Sequence, residues 1–139
     1  MKVTISKDLY KRIINHARRE FPLECCGLIS GIAEADSILI KEIYEMRNID
    51  ASSEHFSMDP KEQFKVVKAI RDRGYSLVGN YHSHPNTPSR PSEEDIRLAY
   101  DPEMIYCIVS LEKEEPVLHF FEIKPSKSIR KLIVNIIEK

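Results

Sequence analysis

The chain has 139 residues, 42% of them apolar and 31% charged, with a formal net charge of −1. That length supports one domain with a real hydrophobic core, the composition excludes a disordered chain, and the near-neutral balance gives no support to a nucleic-acid partner. No apolar run approaches the roughly 18 residues of a membrane span, and "MKVTISKDLY" lacks the apolar stretch of a signal peptide, so a cytoplasmic protein without membrane association is expected.

"KVTI" reads as a short first strand. Ser6 reads as the N-cap of a helix over "KDLYKRIINHARREF", with Leu9, Ile13, Ile14 and Ala17 on one face and Pro22 closing it. "ECCGLISG" is an apolar run, predicted as a buried strand ended by Gly31. "SILIKEIYEM" fits a strand whose two faces are not cleanly sorted. "EHFSM" is predicted as a further short strand. Asp59 and Pro60 open a helix with Phe64, Val67 and Ile70 as its inner stripe, and Gly74 ends it.

"YSLVGNYHSH" is strand-like. "SEEDIRLAY" is a short helix, and "MIYCIVSL" and "VLHFFEI" are strands joined by the acidic turn "EKEE". "SIRKLIVNIIEK" is long enough for a helix, but its β-branched content favours strand. The fold class is α/β: a single domain over residues 1–139 with a mixed, mostly antiparallel sheet flanked by helices.

There are three cysteines, Cys25, Cys26 and Cys107. The number is odd and too small for a disulfide scaffold, and neighbouring cysteines rarely bridge each other, so all three are read as reduced thiols. Cys26 shares a strand face with Glu24 by the two-residue period and is within reach of any metal there; a buried structural thiol is the preferred reading. His16, His55 and His119 have no motif partner and read as surface or satisfied core. His55, just ahead of "FSMDP", is the one to watch.

The chemistry concentrates in "NYHSHPNTPSRPSEEDI". His82 and His84 stand two apart on a strand, so both side chains point to one side, about 6 to 7 Å apart. Two imidazoles so placed can converge on one metal ion. Three protein ligands with a fourth position open to water is the arrangement of a catalytic zinc site. Asp95, in the first turn of the next helix, is the nearest third candidate, and the prolines of "PNTPSRPSEE" stiffen the path to it. "SEED" reads equally as a capping box, with Ser92 as N-cap and Asp95 answering it, and no chemistry. That reading leaves His-Ser-His-Pro unexplained. A hydroxyl proton serves one acceptor at a time, so Ser92 is expected to share capping and catalysis only in part.

These residues resemble the JAMM motif of the MPN-domain metalloproteases: His-x-His, seven residues, Ser, two residues, Asp. His82, His84, Ser92 and Asp95 fit it without a gap. "FPLECCGLISG" supplies Glu24 in the Pro-x-Glu-x-Cys-Gly setting typical of the small prokaryotic members, and "HFSMDP" and "YCIVSL" resemble further family landmarks. The resemblance implies the MPN fold, with a deaminase-like layering, and one zinc ion per chain held by His82, His84 and Asp95. It implies Glu24 as the proton shuttle and Ser92 as the oxyanion donor. The implied substrates are conjugates of ubiquitin-like or sulfur-carrier proteins, cut after a C-terminal Gly-Gly, and a homodimer is compatible with it. The rival within the family is a non-catalytic scaffold that has lost these ligands, which the intact motif disfavours. A zinc nucleoside deaminase fails because its His-x-Glu and Pro-Cys-x-x-Cys patterns are absent.

Overall fold

The computed structural model describes residues 1–138. In chain order the elements are β1 (Lys2–Ser6), α1 (Lys7–Glu20), β2 (Cys26–Ala33), β3 (Ser37–Met46), α2 (Pro60–Asp72), β4 (Ser76–His84), α3 (Glu93–Arg97), β5 (Ile105–Ser110), β6 (Val117–Ile123), β7 (Ile129–Lys131) and β8 (Ile133–Ile137). Ser6 starts α1 as its spacing predicts: its hydroxyl oxygen accepts the Leu9 N–H at 3.1 Å, a cap worth about 1 kcal/mol. Leu9, Ile13 and Ala17 are buried along the inner face of α1.

The strands form one eight-stranded sheet in the order β7-β6-β5-β4-β2-β3-β1-β8. Pairings β2–β3, β2–β4, β5–β6 and β6–β7 are antiparallel; β1–β3, β1–β8 and β4–β5 are parallel. β7 and β8 occupy opposite edges of this sheet, yet only Leu132 lies between them. Two peptide steps span at most about 7 to 8 Å, so the sheet curls until its edges approach. Leu132 is buried at the join, and its N–H donates to the Phe120 carbonyl at 2.8 Å. α1 fills the curl, packed on β1, β3, β4, β5 and β8. Val3, Ile5, Ile13, Ile29, Tyr81, Val109 and Phe120 form the core there. α2 covers the other face, where Cys26, Leu28 and Met46 pack with Phe56, Met58, Val66 and Val67.

Four expectations are corrected. Gly31 does not end β2. The strand runs on to Ala33 through a register shift at Ser30/Gly31. A Cβ on Gly31 would stand 2.2 Å from the Leu39 carbonyl oxygen, so glycine is there for close backbone approach. Residues 54–58 are not a strand. The Asn48 side chain takes their backbone groups instead, its amide bonded to the His55 carbonyl and the Ser57 N–H. Phe64 is 72% exposed; α2 turns Val66, Val67 and Ile70 to the sheet, and Phe64 lies two residues, about 200°, out of phase with Val66. The first helix stops at Glu20, one residue short of the reading, and the Phe21 N–H closes it on the Ala17 carbonyl. The β-rich reading of the C-terminal segment holds for β7 and β8, and Lys139 lies outside the described residues. Among the described residues no helix is long and apolar enough to cross a membrane.

Candidate metal centre

β4 is a central strand, paired antiparallel with β2 and parallel with β5, with Cys26 opposite His82 and Ser110 opposite His84. The two-residue period puts both histidines on one face at its C-terminal end, and both are buried. Ser92 then caps α3 and brings Asp95 over them. His82 Nε2 lies 3.1 Å from His84 Nε2 and 3.2 Å from Asp95 Oδ2, and His84 Nε2 lies 3.1 Å from Asp95 Oδ2. Tetrahedral bonds of about 2.05 Å would hold donor atoms about 3.3 Å apart. The triangle therefore fits a small, zinc-sized ion, and these are the only three residues among those described whose donors converge in this way.

Each donor is oriented differently. His84 Nδ1 bonds the Pro88 carbonyl at 2.9 Å, which makes Nδ1 the donor and, when the ring is neutral, leaves the Nε2 lone pair facing the triangle. The loop carrying Pro88 is pinned to β5: the Ser110 hydroxyl donates to the Thr87 carbonyl at 2.6 Å and the Ser89 hydroxyl to the Ile108 carbonyl at 2.7 Å. His82 Nδ1 is buried with no hydrogen-bond partner among the described residues. Its ring is instead stacked on Phe56, centroids 4.7 Å apart at 27°. Asp95 Oδ2 also accepts the Ser92 N–H at 2.9 Å.

Burial works to raise the Asp95 pKa, but hydrogen bonds from the two histidines and Ser92 outweigh it and hold the carboxyl well below its usual range. Burial likewise works to lower His84, and the Asp95 carboxylate with the Pro88 carbonyl outweighs it, so the net direction is upward.

The capping box is present, with the Ser92 oxygen accepting the Asp95 N–H at 3.1 Å. This corrects the expected conflict over Ser92. The hydroxyl caps as an acceptor, so its own proton stays free to donate elsewhere.

Glu24 stands just before β2 and is buried, 5% exposed. The Cys25 N–H donates to the Ser83 hydroxyl at 2.8 Å, and the Ser83 N–H to the Cys25 carbonyl at 3.1 Å. That zip sets the chain at Glu24 beside the end of β4. Burial pushes Glu24 up to about 8; the charge of His84 opposes the rise and that of Asp95 adds to it. Ser83 thus shapes the strand end.

The other candidates take structural places. Cys26 joins the apolar cluster under α2, its thiol 3.9 Å from the Met46 carbonyl, and burial pushes it up to about 12. His16 is a satisfied core residue, Nδ1 2.7 Å from the Tyr81 hydroxyl. His119 is half-buried. His55 is exposed and pairs with Glu94 at 2.8 Å, at the rim of the site. Phe56, Asn80, Glu94, Leu98 and Tyr106 line a cleft of about 80 Å³ that also touches His82 and Asp95. The sequence reading missed the parts of Asn48, Phe56 and Ser110; only "HFSMDP" and "YCIVSL" signalled the last two.

Comparison with known proteins gives the family. Residues 6–124 match the family described as prokaryotic homologs of the JAB domain. A CysO-cysteine peptidase of Mycobacterium tuberculosis is 35% identical over 108 residues, 78% of this chain and 73% of the relative. A desampylase of Haloferax volcanii is 30% identical over 114 residues, 78% of this chain and 81% of the relative. The solution structure of a protein from Desulfitobacterium hafniense superposes with a TM-score of 0.89 at 41% identity, covering 100% of this chain and 94% of the other. The chain belongs to the prokaryotic JAB family.

Proposed function

We propose that this chain is a zinc-dependent peptidase and isopeptidase that cuts after the C-terminal Gly-Gly of ubiquitin-like or sulfur-carrier proteins. It is a hydrolase acting on such conjugates, as the names of its relatives, CysO-cysteine peptidase and desampylase, support. The observation that carries the reading is the donor triangle of His82, His84 and Asp95 beside Glu24, which is buried and has no side-chain hydrogen bond among the described residues. A bare donor set would serve a structural ion equally well; a carboxyl that burial lifts toward neutral pH is suited to moving protons.

Zinc, when held there, polarises a carbonyl oxygen and lowers the pKa of water from about 15.7 to near 7. Glu24 accepts the proton of the attacking water and returns it to the leaving amine nitrogen. The free hydroxyl proton of Ser92 donates to the oxygen that gains charge as the carbonyl becomes tetrahedral. His84, held by Pro88, keeps Nε2 aimed at the site. The small cleft beside His82 and Asp95 admits little beyond bare backbone, which agrees with a Gly-Gly tail. Three free cysteines fit a reducing, cytoplasmic setting.

The test measures zinc content and cleavage together, on a ubiquitin-like protein with a C-terminal extension. Glu24→Gln should keep one zinc per chain and lose roughly 100-fold or more in rate. Ser92→Ala should keep zinc and lose on the order of 100-fold. Near-normal turnover in Glu24→Gln would remove the proton-shuttle assignment, and a parent protein that binds zinc but cleaves nothing would favour the scaffold.

A further inference from the structure

Asn48 follows β3 and touches none of the three metal donors, yet its side-chain amide is fully engaged. Nδ2 donates to the Glu24 carbonyl at 3.1 Å and the His55 carbonyl at 2.9 Å, while Oδ1 accepts the Asp50 N–H at 3.1 Å and the Ser57 N–H at 3.2 Å. An asparagine amide has two N–H donors and two acceptor lone pairs, so its capacity is used up. All four partners are backbone groups. One belongs to Glu24, and the others span the loop that carries Phe56, the residue stacked on His82. The same loop also takes the Glu24 N–H, on the Ser52 carbonyl at 2.8 Å. Both backbone polar groups of Glu24 are therefore held by residues 48–52.

We propose that Asn48 is a positioning residue for the proton shuttle, fixing the backbone from which the Glu24 carboxyl reaches the site and locking it to the loop over His82. The inference rests on the reading of Glu24 given above. A general base must stand within hydrogen-bond reach of the proton it takes, and a displacement of about 1 Å can cost roughly 100-fold in rate. Glu24 lies in an irregular stretch ahead of β2, with no strand ladder to hold it. Asn48 and Ser52 supply the missing restraint.

The test is a double-mutant cycle of Asn48→Ala with Glu24→Gln, read with zinc content and amide hydrogen exchange. Asn48→Ala should keep one zinc per chain, lose roughly 10- to 100-fold in kcat, and exchange the Asp50, Ser57 and Glu24 amides faster than the parent. In the Glu24→Gln background the same substitution should cost less than about twofold, since no shuttle remains to misplace. A residue that merely stabilised the fold would cost the same factor in both backgrounds, and that result overturns the proposal. So does parent-like kcat in Asn48→Ala while Glu24→Gln is slow, which leaves the shuttle assignment standing. Near-normal turnover in Glu24→Gln removes the shuttle and the tether together. Asn48→Asp, which keeps the acceptor oxygen, takes the place of the alanine variant if that does not fold.

Discussion

His82 and His84 stand two residues apart on one strand and aim at one point, yet the molecule holds them by different physics. His84 is held by direction: a hydrogen bond to Pro88, on a loop that Ser89 and Ser110 fasten to β5. His82 is held by shape: a face stacked on Phe56, with Nδ1 unpartnered among the described residues. A buried polar nitrogen without a partner costs about 1 to 3 kcal/mol. One donor is thus preset by the rigid sheet, and the other depends on the loop over residues 48–58.

The largest effect ignores that difference. His82→Ala and His84→Ala should each lose most of the bound zinc and bring cleavage to background, checked by metal analysis on the purified variants. Stoichiometric zinc in the double variant would break the site.

The next effect exposes the difference. Ser110→Ala frees the Thr87 carbonyl, loosens the loop behind His84, and should weaken zinc binding roughly 10- to 100-fold in a chelator competition. Phe56→Ala removes a stack and no hydrogen bond, so its loss of affinity should be smaller than that of Ser110→Ala. The reverse order would show that shape, not direction, holds the ion.

A weaker effect appears in the pH dependence of zinc-free protein. Burial raises Glu24 in the folded chain to about 8 from an ordinary value of 4.5. The folded state then keeps a proton that the unfolded state releases. The stability from this group is full below about 4.5 and lost as pH rises toward about 8. His84, also raised, acts in the same direction above its ordinary 6.5. His16 is lowered by burial, so its contribution runs the other way and is lost as pH falls below 6.5. Tm measured at pH 5 and pH 8 should therefore fall less in Glu24→Gln than in the parent. Equal falls would place the Glu24 carboxyl in water.

The smallest effect on the metal is expected at Cys26. Cys26→Ser should keep full zinc and lose stability by about 1 to 3 kcal/mol in chemical denaturation, because a hydroxyl replaces a buried thiol. Zinc loss from a folded Cys26→Ser would make that sulfur a ligand.

Much of this was legible in the chain because it depends on local spacing. The helix caps at Ser6, Asp59 and Ser92, the strand bearing both histidines, and the motif linking His82 to Asp95 need only neighbours along the sequence. Three features failed for one reason. Gly31 serves an approach from Leu39, residues 54–58 are held by Asn48, and Phe64 faces outward because the packing under α2 selects Val66 and Val67. Each outcome is set by a partner distant in sequence or by the phase of a packed helix, which periodicity does not carry. The asymmetry of His82 and His84 is of the same kind: Ser110 is as far from "HSHP" in sequence as it is close in space.

The join at Leu132 also bears on how the molecule forms. β1 is flanked by β3 and β8, with Lys2 registered on Ile133 and Ser6 on Ile137. β1 therefore waits for residues 133–137 before its second neighbour exists. Until then its outer edge is open, and the curl around α1 has no hoop to close it. Such long-range pairing slows folding and leaves an apolar edge available to other chains during synthesis. The candidate metal donors lie on β4 and α3, well inside that span, so the donor triangle can be complete in sequence while the curled sheet that steadies it is still open.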